Sequence, residues 1–336
     1  MNKRLFGKLP TGENIYAITL KNGDSSAEII TRGAAISSFK PFGREIVAGF
    51  ATLEEYLAYG DFYGATVGRV CNRIVGAEFE MDGKVYQLTK NNGENCLHGG
   101  SDAFNTKAWD VIEYGEDYVT LGYFSPDGQS GFPANVEVRA RYTLVDGELR
   151  IEYSATPDAR TPIMMTSHSF FNLNSHKTDV RAHKARIHAN RYTEIGPGRL
   201  PTGNRPEVAG TPFDFREPTE LGAHVEESEF GYDHNFILSS EAVGKFGDKH
   251  LALAAEVWGE ELKLSAYTDQ PGIQLYVNQR APKTRPVIRS GVVLEAYASF
   301  CLEPQIEPNC VKDGRGLVDA GETYLANIVY KVEKIR

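Results

Sequence analysis

Three side chains able to hold or move a proton stand at unusual points of this sequence. Glu303 stands near the end of the run VVLEAYASFCLEPQ (292–305), directly after Phe300, Cys301 and Leu302 and directly before Pro304. A carboxylate in such company loses water, which raises its pKa toward the range of a general base. A strand-end glutamate paired with an arginine reads equally well. His168 lies in MTSHSFFNLN (165–174), between Ser167 and Ser169 and ahead of Phe170 and Phe171. On pattern alone a hydrogen-bonded core histidine is the better reading. His98 stands in NNGENCLHGG (91–100), where Asn-Asn-Gly and Gly-Gly bracket a tight loop and glycine lets backbone approach a ligand. Taken singly, it reads as an ordinary loop histidine.

Polar groups suited to holding a hydroxylated ligand accompany them. Arg69 and Arg73 sit four residues apart in the apolar stretch ATVGRVCNRI (65–74), and a buried guanidinium needs a carboxylate or a polar ligand. Asn72 adjoins Arg73 and offers both donor and acceptor. Asp233 and His234 form the polar mouth of FGYDHNFIL (230–238), a pattern that marks either a pocket or a turn. Gln274, in PGIQLYVN, projects a neutral amide from one face of a strand.

Other chemistries find no foothold. None of the eight histidines pairs as H-x-H or H-x-x-x-H, and His183 and His188 lie in a basic segment without clustered carboxylates, so no metal site is expected. GPGRLPTG lacks the Lys-Ser/Thr ending of a phosphate loop, and no G-x-S-x-G elbow occurs; no cofactor is expected. The formal net charge of -9, without a long basic run, argues against nucleic acid. No apolar stretch approaches the roughly 18–20 residues that cross a bilayer, and the N-terminus lacks the apolar segment of a secretory signal. Cys71, Cys96, Cys301 and Cys310 show no paired spacing and read as scattered reduced thiols, which fits the cytoplasm.

The elements that must position these residues read as strands. NVEVRARYTLV (135–145) and ELRIEYSA alternate with period two on either side of Asp146-Gly147, which predicts a hairpin. AEFEMDGKVYQLT (77–89) repeats the pattern across Asp82-Gly83, and ELKLSAYTDQPGIQLYVN (261–278) gives two strands bracketing Pro271-Gly272. ATLEEYLAYG (51–60) is the best short helix, with Leu53, Tyr56 and Leu57 on one face and Gly60 as its stop. The Gly/Pro-rich stretch 196–215 is expected to be an ordered surface loop, because strand patterns resume on both sides. Together these predict an all-β protein: a large antiparallel β-sandwich with few short helices, in one domain spanning residues 1–336.

The segments GATVGRVCNRI, NNGENCLHGG, TSHSFFNLN, YDHNFIL, PGIQLYVN and FCLEPQ, in that order from Gly64 to Gln305, resemble the aldose 1-epimerase (galactose mutarotase) family. The resemblance implies a supersandwich fold, galactose mutarotase-like, and interconversion of the α and β anomers of free aldohexoses such as galactose and glucose. It implies Glu303 as the base that takes the anomeric hydroxyl proton and His168 as the acid that protonates the ring oxygen. His98 would assist near that oxygen, while Asn72, Arg73, Asp233 and Gln274 would hold hydroxyls. Arg73 is preferred to Arg69 because it follows the asparagine of the family's Asn-Arg pair. The small-molecule sugar would be the partner, with the chain a monomer or homodimer.

This sequence departs from the family at Ser167 and Phe170, where Asn and Tyr are usual, at Val277-Asn278-Gln279, and at Glu307-Pro308-Asn309-Cys310. Substrate preference is expected to be set at Ser167 and Phe170. Two other readings stand beside the isomerase: a non-catalytic sugar-binding protein on the same scaffold, which would not need both His168 and Glu303, and a glycoside hydrolase using Asp233 and Glu303.

Overall fold

The structure, a computed structural model, describes residues 2–60, 62–282 and 284–335. Alternation in the sequence becomes alternation in burial. Strand Val136–Val145 buries Val136, Val138, Ala140, Tyr142 and Leu144, and pairs antiparallel with Glu148–Pro157. Asp146 and Gly147 both take positive φ at the turn (46° and 77°), the geometry a two-residue hairpin requires. Asp82 and Gly83 do the same (53° and 74°) between Glu78–Met81 and Lys84–Gln87.

These strands join a ten-stranded antiparallel sheet that runs from Asp110–Tyr114 at one edge to Thr219–Glu220 at the other. A four-stranded sheet from Lys3 to Lys40 and a five-stranded sheet complete the sandwich. One apolar cluster draws Ile18 and Ile29 from the N-terminal sheet, Tyr142 and Ile151 from the large sheet, and Ile273, Leu275 and Leu302 from the five-stranded sheet. The two strands around Pro271-Gly272 exist, but not as a hairpin. Leu262–Thr268 belongs to the ten-stranded sheet and Gly272–Val277 to the five-stranded one, so the chain changes layers there.

Leu53–Tyr59 is the one α-helix among the described residues. Thr52 and Glu55 form a reciprocal capping box at its start, and Gly60 ends it. Leu53 and Tyr56 are buried, but Leu57, expected on the same face, is 42% exposed. A helix this short packs only one turn against the sheet. The stretch 196–215 is ordered as expected: Ile195–Gly196 pairs with Leu200–Pro201, and Val208, Phe213 and Phe215 are buried in the main core.

The five-stranded sheet positions the polar residues of interest. Its order is Phe170–Phe171, Phe300–Gln305, Gly272–Val277, Asp233–Leu238, then Ala189–Tyr192. On one face, Phe171, Phe300, Leu302, Ile273, Leu275 and Phe236 enter the main core. The opposite face carries Phe170, Cys301, Glu303, Tyr276, Gln274 and Asp233. Register sets them in rows: Phe170 opposite Cys301, Cys301 opposite Tyr276, and Tyr276 opposite Asp233. Glu303 faces Gln274 in a second row. With a two-residue period, residues far apart in sequence share one surface.

Candidate active site

A cavity of about 160 Å³ opens over that surface, lined by Asn72, Arg73, His98, His168, Asp233 and Glu303 among others. A larger surface depression around Asp127, Asp158 and Arg160 contains no histidine. Gln274, the seventh residue predicted from sequence, supports the cavity from beneath: its Nε2 donates to Asp233 Oδ1 at 2.8 Å. All seven are therefore brought together.

His168 Nε2 lies 3.7 Å from Glu303 Oε1, and both residues are buried. Burial is the main reason the Glu303 carboxyl is pushed well above its ordinary pKa; Asp233 adds to the rise and Arg73 opposes it. Glu303 Oε2 is buried without a hydrogen-bond partner among the described residues, leaving a lone pair for an incoming group. Burial also lowers the His168 ring to about 4, against the opposing pull of a backbone hydrogen bond and Asp233. The two effects have one cause, since a dry environment disfavours both charged forms. A base made stronger and an acid made stronger thus face each other across a gap open to the cavity.

The ring of His168 is held in place by aromatic neighbours. Phe170 stacks on it at 4.9 Å and Phe62 at 5.7 Å, while Tyr276 meets it edge-on at 6.4 Å. The Cys301 thiol lies 3.7 Å from His168 Nδ1. Burial keeps that thiol protonated, so it can donate toward Nδ1, an arrangement that puts the ring proton on Nε2, the nitrogen facing Glu303.

His98 is fixed by its neighbour. Arg73–Ile74 pairs with Cys96–Leu97, which sets Asn72 beside His98. Both take positive φ (60° and 52°). The glycines after His98 serve this fold rather than a ligand: a Cβ on Gly99 would stand 2.1 Å from the carbonyl oxygen of Gly68. His98 Nδ1 accepts the Asn72 N–H at 3.1 Å, which leaves the proton on Nε2. Spacing gave no hint that ligand atoms of His98, His168 and Glu303 would gather within 4.8 Å. The two-histidine, one-carboxylate set has the residue types of a metal site. A metal, however, needs a free lone pair where His98 carries its proton, and the group fits a ring of polar hydroxyls better.

Asp233 has both oxygens engaged. Oδ1 accepts from Gln274, and Oδ2 lies 3.7 Å from Arg73 Nη1 and 3.4 Å from Arg199 Nη1. Gln305, fully buried, donates in turn to Gln274 Oε1 at 3.2 Å. His234, adjacent in sequence, points to the other side of the sheet against Phe213 at 4.1 Å.

Some expectations fail here. Arg69 is neither ion-paired with a carboxylate nor in the cavity: its guanidinium donates to the Ala134 carbonyl at 3.0 Å, to Ser125 Oγ at 2.5 Å and to the Pro133 carbonyl. Phe170 lines the cavity, but Ser167 does not; it is buried beside Ser169, with which it shares a 3.0 Å hydrogen bond. Asn278 and Glu307 likewise turn to structural partners, Ser299 N–H and Arg315. Arg199, Phe62, Leu97 and Tyr276 line the cavity without having been singled out. The only local sequence signal for Arg199 is the Gly196-Pro197-Gly198 run directly before it.

Comparison with known proteins decides the family. The model of the aldose 1-epimerase family matches residues 16–331. The chain belongs to the aldose 1-epimerase family. It is therefore an isomerase, with the sandwich of galactose mutarotase-like folds. It is 35% identical over 337 residues to the galactose mutarotase of Sus scrofa, covering 96% of each chain. To the aldose 1-epimerase of Escherichia coli (strain K12) it is 35% identical over 286 residues, 80% of each. Among solved structures, an aldose epimerase homologue from C. elegans superposes with a TM-score of 0.86 at 26% identity, over 95% of this chain and 99% of that one.

Proposed function

We propose that this aldose 1-epimerase interconverts the anomers of free aldohexoses, galactose and glucose among them, with Glu303 as base and His168 as acid. The observation that carries the reading is the 3.7 Å approach of His168 Nε2 to Glu303 Oε1 in a buried cavity. Ring opening removes a proton from the anomeric hydroxyl and adds one to the ring oxygen. The Glu303 carboxylate takes the first and the His168 imidazolium gives the second. After both transfers the pair is a neutral carboxylic acid and a neutral imidazole, the forms that burial favours. The opened aldehyde turns about C1–C2, and closure on the other face reverses both transfers.

Arg73 and Asp233 make the charged starting forms accessible, since Arg73 favours the Glu303 carboxylate and Asp233 favours the His168 imidazolium. The Nε2–H of His98 is suited to an oxygen of the sugar near the same carbon. Asn72, Arg73 and Asp233 serve as the hydroxyl-binding set, and Gln274 holds Asp233 in place for it from beneath. Asp233, already held by Arg73, Arg199 and Gln274, is no free partner for Glu303 in glycoside hydrolysis. Four unpaired, buried cysteines suit the reducing cytoplasm, and among the described residues no helix is long and apolar enough to cross a membrane. The whole chain acts in this reading as one domain.

Polarimetry from pure α-galactose tests the assignment. Glu303→Gln and His168→Ala should each lower kcat by about 10²–10⁴-fold while the sugar still binds. Full activity in either variant removes that residue from its role, and a wild-type protein that leaves the spontaneous rate unchanged for every aldose removes the reaction.

A further inference from the structure

Arg199 belongs to no motif, yet it reaches the cavity from outside the five-stranded sheet. It sits at the tip of the hairpin Ile195–Pro201 with φ +60°, directly after Gly198 at +72°. From there its guanidinium returns to Asp233 Oδ2 at 3.4 Å and lines the cavity with Tyr276, staying one-third exposed. Asp233 does not need it as a counter-charge. Arg73 already faces the same oxygen, and Gln274 holds the other. Two guanidinium groups share one carboxylate, and a guanidinium has five N–H donors in a fixed fork. At the Asp233 end the cavity therefore carries donors in excess of the protein's own acceptors.

Direction across the sheet gives those donors a target. The strand order runs from the Phe170 strand, beside His168, through the Glu303 and Gln274 strands to the Asp233 strand, with Arg199 reaching Asp233. In a pyranose, C4 lies opposite C1, and C3 lies opposite the ring oxygen. A sugar with C1 and its ring oxygen at Glu303 and His168 turns its C3–C4 edge toward Asp233 and Arg199. We propose that Arg199 is a specificity-determining residue that donates to a hydroxyl on the C3–C4 edge and so reads configuration at C4.

The inference rests on the mutarotase reading, and one experiment separates the two. Initial rates are measured for galactose, its C4 epimer glucose and 4-deoxygalactose with wild type, Arg199→Leu and Arg199→Lys. Arg199→Leu should raise KM for the better hexose by about 10–100-fold, the worth of a hydrogen bond to a charged group, with a much smaller change in kcat. It should also narrow the spread of kcat/KM among the three sugars, and Arg199→Lys should restore part of it. An unchanged spread and KM in Arg199→Leu, or a fall in kcat at constant KM, overturns the assignment; the second result would make Arg199 a positioning residue acting through Asp233. A wild-type enzyme inert toward all three sugars would instead overturn the mutarotase reading. Circular dichroism on both variants shows that the fold is retained, as the exposed hairpin tip leads one to expect.

Discussion

Asn72 and His98 are bonded to each other twice: the Asn72 N–H donates to His98 Nδ1 at 3.1 Å, and the His98 N–H donates to the Asn72 carbonyl at 3.0 Å. The side chain of Asn72 is meanwhile engaged with the Arg73 N–H at 2.8 Å. One short stretch of backbone thus orients three groups of the cavity and fixes which nitrogen of His98 bears the proton.

His98→Phe keeps an aromatic ring against Phe62, which packs at 4.8 Å, but removes the donor. The expected result is a drop in kcat/KM of roughly tenfold to a hundredfold, the cost of one buried hydrogen bond to a polar substrate. Steady-state polarimetry checks it. Wild-type values in His98→Phe would mean that the ring only fills space.

The pH profile follows from the acid–base pair. Burial keeps His168 neutral down to about pH 4 and keeps a proton on Glu303 well above the usual carboxylate range. Between about pH 4 and the raised value of Glu303 the pair therefore carries one proton in common. A second enters only as the pH falls toward 4, and the single one leaves only above the raised value of Glu303. With free enzyme, the acid-side fall of kcat/KM should therefore centre near pH 4, where His168 takes up its proton. A break centred at 6.5, the value of a solvated histidine, would contradict this account.

Arg69 should matter for stability alone. Its guanidinium ties together the Ser125, Pro133 and Ala134 carbonyls of one loop. Arg69→Leu is expected to lose about 3 kcal/mol or more, since charged hydrogen bonds contribute about 1.5–3 kcal/mol each. Denaturant unfolding measures the loss. KM of the folded fraction should stay at the wild-type value; a raised KM with unchanged stability would place Arg69 in substrate binding instead.

The contrast between Arg69 and Arg73 shows what the sequence could disclose. Hairpins at Asp82-Gly83 and Asp146-Gly147 were legible because their turn chemistry is local and their strands have one wet face. FCLEPQ has no wet face: every residue of Phe300–Gln305 is buried, so alternation between core and cavity leaves no mark in hydropathy. Glu303 faces the cavity and Gln305 the buried amides beneath it, but in sequence both look like interruptions of a buried strand. Arg69 and Arg73 share a segment, yet only the turn at positive φ on Asn72 sends the second toward Asp233. That turn depends on the distant Cys96–Leu97 strand. Arg199 was hidden for the opposite reason, since it rides on an exposed hairpin whose only local signal is a pair of glycines and a proline.

The five-stranded sheet carries reactive groups on one face and packing on the other, with a period of two residues. A slip of one residue in the pairing of Phe300–Gln305 with Gly272–Val277 would bring Leu302 to the cavity and drive the Glu303 carboxyl into the apolar interior. The chemistry thus polices the fold. A chain that turns over sugar has already paired these strands in register, so the recovery of turnover during refolding counts correctly assembled molecules where spectroscopic strand content cannot.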